Sequence, residues 1–275
     1  MSFLKRLFTL GADDIYNHGM CHYNNCRYRE AIEEFDRIIQ RDRGKSRLHK
    51  ELAIFYRSQA YRNYGIIHMH EGRFEEAITD FTIALDAIPG STILHSYLGT
   101  CYNNVGRFNN AIAEFEKVLN DKANDLQSRI RLALSLRNQG LYDRAIEVLE
   151  SAIKSNPRHA DLHYFLGIVL CNKNDYMEAI NEFNRALEIN SNYLDAISKL
   201  GFLYILIEDY AKALEFIDRI IGMSFRDEAV LKAQRLLRVA QPERQALADL
   251  AKRELFKAAI ISLSLAPFTS ADISR

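Results

Sequence analysis

The 275-residue chain has no tryptophan, only four prolines, twelve glycines and four cysteines, and no net charge. So few prolines and glycines leave long helices uninterrupted and supply too few turn signals for a many-stranded sheet. The cysteines, at 21, 26, 101 and 171, show no paired spacing. That excludes a disulfide framework and leads to an expectation of reduced thiols in a cytoplasm. The 36 basic and 36 acidic residues cancel, so no global field draws the protein to nucleic acid or an anionic membrane. Any electrostatic partner has to be met by a local patch. No run of about 18 apolar residues exists to span a bilayer, and the longest candidate, near Ala258–Ala266, is interrupted by serines. The opening MSFLKRLFTL has apolar runs broken by Lys5 and Arg6, too short for a signal peptide. Its amphipathic pattern of Phe3, Leu4, Leu7 and Phe8 leaves two readings, a membrane contact or a cap on the fold.

What the chain does have is one phrase written six times. YREAIEEFDRII starts at Tyr28, FEEAITDFTIAL at Phe74, FNNAIAEFEKVL at Phe108, YDRAIEVLESAI at Tyr142, YMEAINEFNRAL at Tyr176 and YAKALEFIDRII at Tyr210. The alanines fall at 31, 77, 111, 145, 179 and 213, with gaps of 46, 34, 34, 34 and 34. Each phrase is amphipathic at helical spacing. Twelve residues before each alanine stands a small residue: Gly19, Gly65, Gly99, Ala133, Gly167 and Gly201. Small side chains in phase on two helices predict close helix–helix approach. Gly72, Gly106 and Gly140 supply the turn that ends the first helix of a unit, while Pro89 and Pro157 stop the second. The unit is predicted as helix, tight turn, helix, short loop.

HSYLGTCY followed by RFNNAIAEF fits the pattern W-x2-L-G-x2-Y…A-x3-F with His95 at the tryptophan place. The chain therefore resembles the tetratricopeptide-repeat family over about residues 12–227. The resemblance implies an all-α fold, a right-handed α–α superhelix, with six units between an N-terminal amphipathic segment (1–11) and C-terminal capping helices (228–275). An array of this type needs a cap where its last unit exposes a stacking face. Cys26, Asn174 and Glu208 replace the usual turn glycine in units one, five and six.

The spare twelve residues lie between units one and two, around QRDRGKSRLHKE at 40–51. A phosphate-binding loop would need glycine five residues before Gly44, where Ile39 stands. The stretch is instead predicted to extend the next helix backward, with Leu48, Leu52 and Phe55 as an apolar stripe. Twelve helical residues would project roughly 18 Å beyond the regular stack. Its basic face is ordinary solvated surface or a docking site for an acidic partner.

His18, Cys21, His22 and Cys26 share a helical face and are plausible soft-metal ligands. The repeat phase explains them as core or half-buried positions, so no metal and no cofactor are expected. His95 and His163 share the tryptophan register and read as packing residues. The acids of the second helices read as solvated faces, and nothing argues for an enzyme.

The more informative register lies seven residues before each alanine: Asn24, His70, Asn104, Asn138, Asn172 and Leu206. The resemblance implies that this register looks into a concave groove, where the amides offer donors and acceptors to an extended peptide. The alternative is that asparagine simply suits a helix C-terminus. Other groove registers carry Tyr16, Met20, Tyr23, Arg62, Met69, Tyr97, Asn103, Arg131, Arg137, Tyr164 and Phe165, types suited to recognition surfaces. The registers of the family's dicarboxylate clamp hold Tyr16 with Met20 and Arg62 with Ile66, so a chaperone tail is not the expected ligand. The leading expectation is a non-enzymatic scaffold or adaptor in the cytoplasm, binding a protein or peptide through Asn24, Arg62, His70, Tyr97, Asn104, Arg131, Arg137, Asn138, Tyr164 and Asn172. A membrane-associated assembly factor is the alternative; nucleic acid is not an expected partner, and self-association is left open.

Overall fold

The computed structural model describes residues 11–41, 47–222 and Arg235. The expected N-terminal segment, the core of the basic insertion and the capping helices therefore lie outside the described residues, apart from Gly11 and Arg235. Twelve helices form among the described residues: α1 (Ala12–Asn24), α2 (Tyr28–Arg41), α3 (Arg47–His70), α4 (Phe74–Ala87), α5 (Thr92–Asn104) and α6 (Phe108–Asp121). They continue as α7 (Leu126–Asn138), α8 (Tyr142–Ser155), α9 (Ala160–Lys173), α10 (Tyr176–Ile189), α11 (Leu194–Leu206) and α12 (Tyr210–Gly222). The described chain is all-α, six consecutive pairs in the predicted phase. It divides into two compact units, one through Ser135 and one from Leu136. Consecutive helices pack on one another from α1 to α6 in the first and from α8 to α12 in the second.

One socket closes the hairpins. A methyl group placed on Gly19, Gly65, Gly99 or Gly167 would meet the ring of Phe35, Phe81, Phe115 or Phe183 at 2.7–2.8 Å. Those rings, on the second helix of the same pair, are at most 1% exposed. The glycine thus makes room for the aromatic four residues after the phased alanine. The fourth pair carries Ala133 and Leu149 at these registers, both fully buried. In the sixth, a methyl on Gly201 would sit at 3.6 Å from Phe216 and 3.8 Å from Ile217, an ordinary contact.

The turn inside each pair is built from backbone alone. The residue five before the alanine is left-handed in all six: Cys26 (φ 57°), Gly72 (75°), Gly106 (78°), Gly140 (83°), Asn174 (69°) and Glu208 (67°). Two amides fold back onto the first helix each time, as in Arg107 N to Tyr102 O (2.8 Å) and Gly106 N to Asn103 O (3.3 Å). This is the Schellman arrangement, and it forms in units one, five and six without glycine.

Helix α3 has 24 residues against 13 or 14 in the others. Its first eleven residues add about 16 Å, confirming the backward extension. They do not project freely. His49 pairs with Asp13 at 2.6 Å, Arg57 with Asp36 at 2.6 Å, and Ala53 joins the core of Ile15, Ala31, Phe35 and Ile38. Tyr56 packs edge-on to Tyr16 and Tyr23 and stacks on Phe35. The extension thus lies along the first hairpin and keeps Leu48 (64% exposed) and Phe55 (48%) on its open side.

Candidate functional site

The first helices of neighbouring pairs touch each other through polar side chains. In the first unit, Asn63 Nδ2 on α3 donates to Tyr23 Oη on α1 (3.2 Å), and Asn63 Oδ1 accepts from Arg62 (3.1 and 3.2 Å). Arg131 on α7 donates to Ser96 Oγ on α5 at 3.0 Å. Tyr97 stacks on Phe81, centroids 5.1 Å apart. All these polar groups remain at least partly exposed. Asn24, His70 and Asn104 are exposed at the ends of their helices, and Asn104 Nδ2 donates to Thr100 O at 2.9 Å. The first unit therefore holds six of the ten candidates, with Asn63, Ser96 and Thr100 as supporting residues that register counting alone had passed over.

In the second unit, Arg137 Nε and Nη2 donate to Asn138 Oδ1 (3.1 and 2.7 Å). Tyr164 is only 6% exposed, its ring set among Phe165, Phe183 and Tyr193. Burial pushes its phenol up, so it forms a wall or floor instead of a free polar handle. Asn138 and Asn172 are exposed. Tyr193 Oη donates to Asp161 Oδ1 at 2.7 Å, tying α9 to the start of α11. Burial lowers both Arg137 and Lys199. A separate cavity of about 610 Å³ opens between the second helices α10 and α12, with Asn181, Asn184, Arg185, Phe216 and Arg219 on its walls. Its arginines are already engaged, Arg185 by Glu182 and Arg219 by the carbonyl of Ser191.

Three second-helix acids are not solvated faces as expected. Asp80, Glu114 and Glu182 are buried, each against a first-helix histidine: His68 (2.7 Å), His95 (2.5 Å) and His163 (2.7 Å). His95 and His163 use their other ring nitrogen to hold the carbonyls of Pro89 (3.1 Å) and Pro157 (3.3 Å). Lys117 and Arg185 engage the second oxygen of Glu114 and Glu182. The signal was available as a His–Glu separation of 19 residues occurring twice in phase. These braces fasten hairpin and loop; burial raises Asp80 against the opposing pull of His68.

His18, Cys21 and Cys26 are exposed, against the expectation of core or half-buried places, and His22 is half-buried as expected. Cys101, in phase with Cys21, is fully buried. Among the described residues no three His, Cys, Asp or Glu side chains gather into a metal-holding group. None of the described helices is long and apolar enough to cross a membrane.

Paired helices of fixed phase, a glycine–aromatic socket and left-handed turns define a helical-hairpin repeat protein. The chain is a tetratricopeptide-repeat protein, with six helix pairs among the described residues. Three family profiles match it: tetratricopeptide repeat over residues 16–92, anaphase-promoting complex (cyclosome) subunit 3 over 104–186, and TPR repeat over 169–206. Among solved structures it is similar to MamA from Desulfovibrio magneticus RS-1, with 21% identity, 62% of this chain and 97% of that chain covered, and a TM-score of 0.54. YrrB, described as a TPR protein with an unusual peptide-binding site, matches at 20% identity over 71% of this chain and 96% of its own, TM-score 0.52. A thermophilic TPR protein of Thermus thermophilus matches at 21% identity over 66% and 99%, TM-score 0.52. No curated protein matches the chain.

Proposed function

We propose that the protein is a non-enzymatic scaffold that holds an extended segment of a protein partner along the face of its first helices. The observation that carries this reading is the lateral bonding of first helices, Tyr23 to Asn63 and Ser96 to Arg131, with both arginine and tyrosine groups left half exposed. Such side chains are held in place before a ligand arrives, which lowers the ordering cost of binding. Tyrosine and arginine bury large area and keep a polar end, so they suit a recognition surface. The description of YrrB as peptide-binding supports the same mode for this chain. Exposed Cys21 and Cys26 fit a reducing cytoplasm.

The test is capture from the native cell lysate with wild type beside two variants. One carries Tyr97→Ala, Asn104→Ala and Arg131→Ala on first helices; the other carries Asn110→Ala on the exposed face of α6. A partner retained by wild type and Asn110→Ala but lost by the triple variant supports the reading, provided helicity is unchanged. Equal recovery with all three overturns it.

A further inference from the structure

Sixteen residues before the phased alanines 111, 145 and 179 stand His95, Arg129 and His163, and each reaches back to the carbonyl six residues before itself. Arg129 Nε donates to Ala123 O at 3.0 Å, His95 Nε2 faces Pro89 O at 3.1 Å and His163 Nε2 faces Pro157 O at 3.3 Å. These carbonyls lie in the loops that join one hairpin to the next, α4 to α5, α6 to α7 and α8 to α9. A carbonyl oxygen only accepts and a guanidinium only donates. The arginine therefore reveals the task of this register, which is to clip the joint by donating a hydrogen.

For the two histidines, that task fixes a proton on Nε2. The other ring nitrogen meets a second acceptor: Nδ1 of His95 lies 2.5 Å from Glu114 Oε2, and Nδ1 of His163 lies 2.7 Å from Glu182 Oε2. Lys117 Nζ donates to the remaining oxygen of Glu114 at 2.8 Å, and Arg185 Nη1 to that of Glu182 at 2.5 Å. The acid and the cation facing His95 thus both come from α6, and those facing His163 from α10, while each loop offers its proline carbonyl. A carboxylate held by a cation on one side is an ionised acceptor on the other, so the hydrogen between ring and acid belongs to Nδ1. Both nitrogens then need a hydrogen, and a neutral imidazole has only one. His68 is under no such demand, because it bonds Asp80 through Nδ1 and its buried Nε2 meets no partner among the described residues.

We propose that His95 and His163 are imidazolium rings at neutral pH, and that the α4–α5 and α8–α9 joints are latches held shut by those protons. Loss of one proton leaves Nδ1–H on the carboxylate and turns the bare Nε2 lone pair against the lone pairs of Pro89 O or Pro157 O. The latch is closed while the ring is doubly protonated and opens as pH rises through that loss. The α6–α7 joint, clipped by the permanently charged Arg129, stays closed. Two joints of the array answer to pH and the one between them does not.

The experiment is NMR on the full chain. Long-range proton–nitrogen spectra at pH 7 should show a hydrogen on both ring nitrogens of His95 and of His163, and on titration to pH 9 Nε2 should be the one that loses it. The signals are identified by their disappearance in two double variants, His95→Leu with Glu114→Leu and His163→Leu with Glu182→Leu, which remove ring and acid together. Amide exchange, corrected for its intrinsic pH dependence, reads the joints through three equivalent amides. Ser91 N bonds Ile88 O at 3.1 Å, His159 N bonds Asn156 O at 3.2 Å and Asp125 N bonds Lys122 O at 3.0 Å. Between pH 7 and pH 9, opening at Ser91 and His159 should rise at least about tenfold, the size of one charge-assisted hydrogen bond, and opening at Asp125 should not change. A bare nitrogen in either ring at pH 7 overturns the proposal. So do rings that keep both hydrogens to pH 9, and joints that open equally at all three amides or at none.

Discussion

Gly99→Ala is a small change with a sharp structural expectation. The added carbon would lie 2.8 Å from Cε1 and Cζ of Phe115 and 3.0 Å from Cδ1, against a ring that is 1% exposed. Carbon pairs prefer about 3.5–4.0 Å, so the ring or the helix must move by roughly 0.7 Å inside a packed hairpin. Overpacking of this kind costs about 1–3 kcal/mol. The alanine returns about 1 kcal/mol through better helix propensity, so net destabilisation is about 0–2 kcal/mol. Gly201→Ala is the matched control: its new carbon meets ordinary contacts at 3.6 and 3.8 Å, and only the propensity gain of about 1 kcal/mol remains. The two substitutions are chemically identical, yet their stabilities should differ by the overpacking cost of about 1–3 kcal/mol. The fourth repeat suggests the remedy, since it carries Ala133 and Leu149 where the third carries Gly99 and Phe115. Phe115→Leu alone costs about 1–2 kcal/mol through lost volume, but with Gly99→Ala the pair couples favourably by about 1 kcal/mol or more. Urea melts followed by circular dichroism at 222 nm read these differences as midpoint shifts. Equal midpoints for Gly99→Ala and Gly201→Ala, or strict additivity in the double variant, would refute the socket.

Cys26→Gly and Glu208→Gly relieve left-handed backbone at φ 57° and 67°, and each should add about 0.5–1 kcal/mol of stability, read as a higher urea midpoint, after the entropy of the added glycine is counted; Asn174→Gly should gain less, because asparagine tolerates that conformation. His95→Ala strips a buried partner from Glu114, which keeps only Lys117, and should cost about 3 kcal/mol in the same melt, whereas replacing His95 and Glu114 together by leucine should cost much less. At pH 8 iodoacetamide should label exposed Cys21 and Cys26 and spare Cys101 and Cys171, whose thiols burial pushes up to about 12 and about 11. A raised thiol pKa means less thiolate at pH 8, so the latter two should label only above pH 10 or on unfolding, as mass spectrometry would read; early labelling of Cys101 would contradict the buried placement.

The repeat, its phase and its turn were legible because each is a spacing, and spacing is what a linear sequence preserves. The alanines and the aromatic phrases located every described helix pair, and Gly72, Gly106 and Gly140 marked turns that Cys26, Asn174 and Glu208 adopt as well. The identity of contacts was less legible. That Gly99 leaves room for the ring of Phe115 could not be read from register, because it depends on ring orientation. Asp80, Glu114 and Glu182 looked like their solvated neighbours until the fold placed histidines against them. The inward face of the α3 extension was hidden for the same reason: Tyr56 meets Tyr16, Tyr23 and Phe35 from another pair. For the candidate site, registers found Arg131 and Tyr97 but not Ser96 or Asn63, which matter only once first helices lie side by side.

The glycine–phenylalanine socket closes within a single hairpin, with both halves supplied by the same 34-residue stretch. Copying such a stretch, or losing one, therefore leaves no half-filled socket behind. Length in this protein is a countable quantity, open to change by whole hairpins through gene duplication or deletion. An insertion of any other size has to fall between hairpins, and the stretch between α2 and α3 is where this chain carries one.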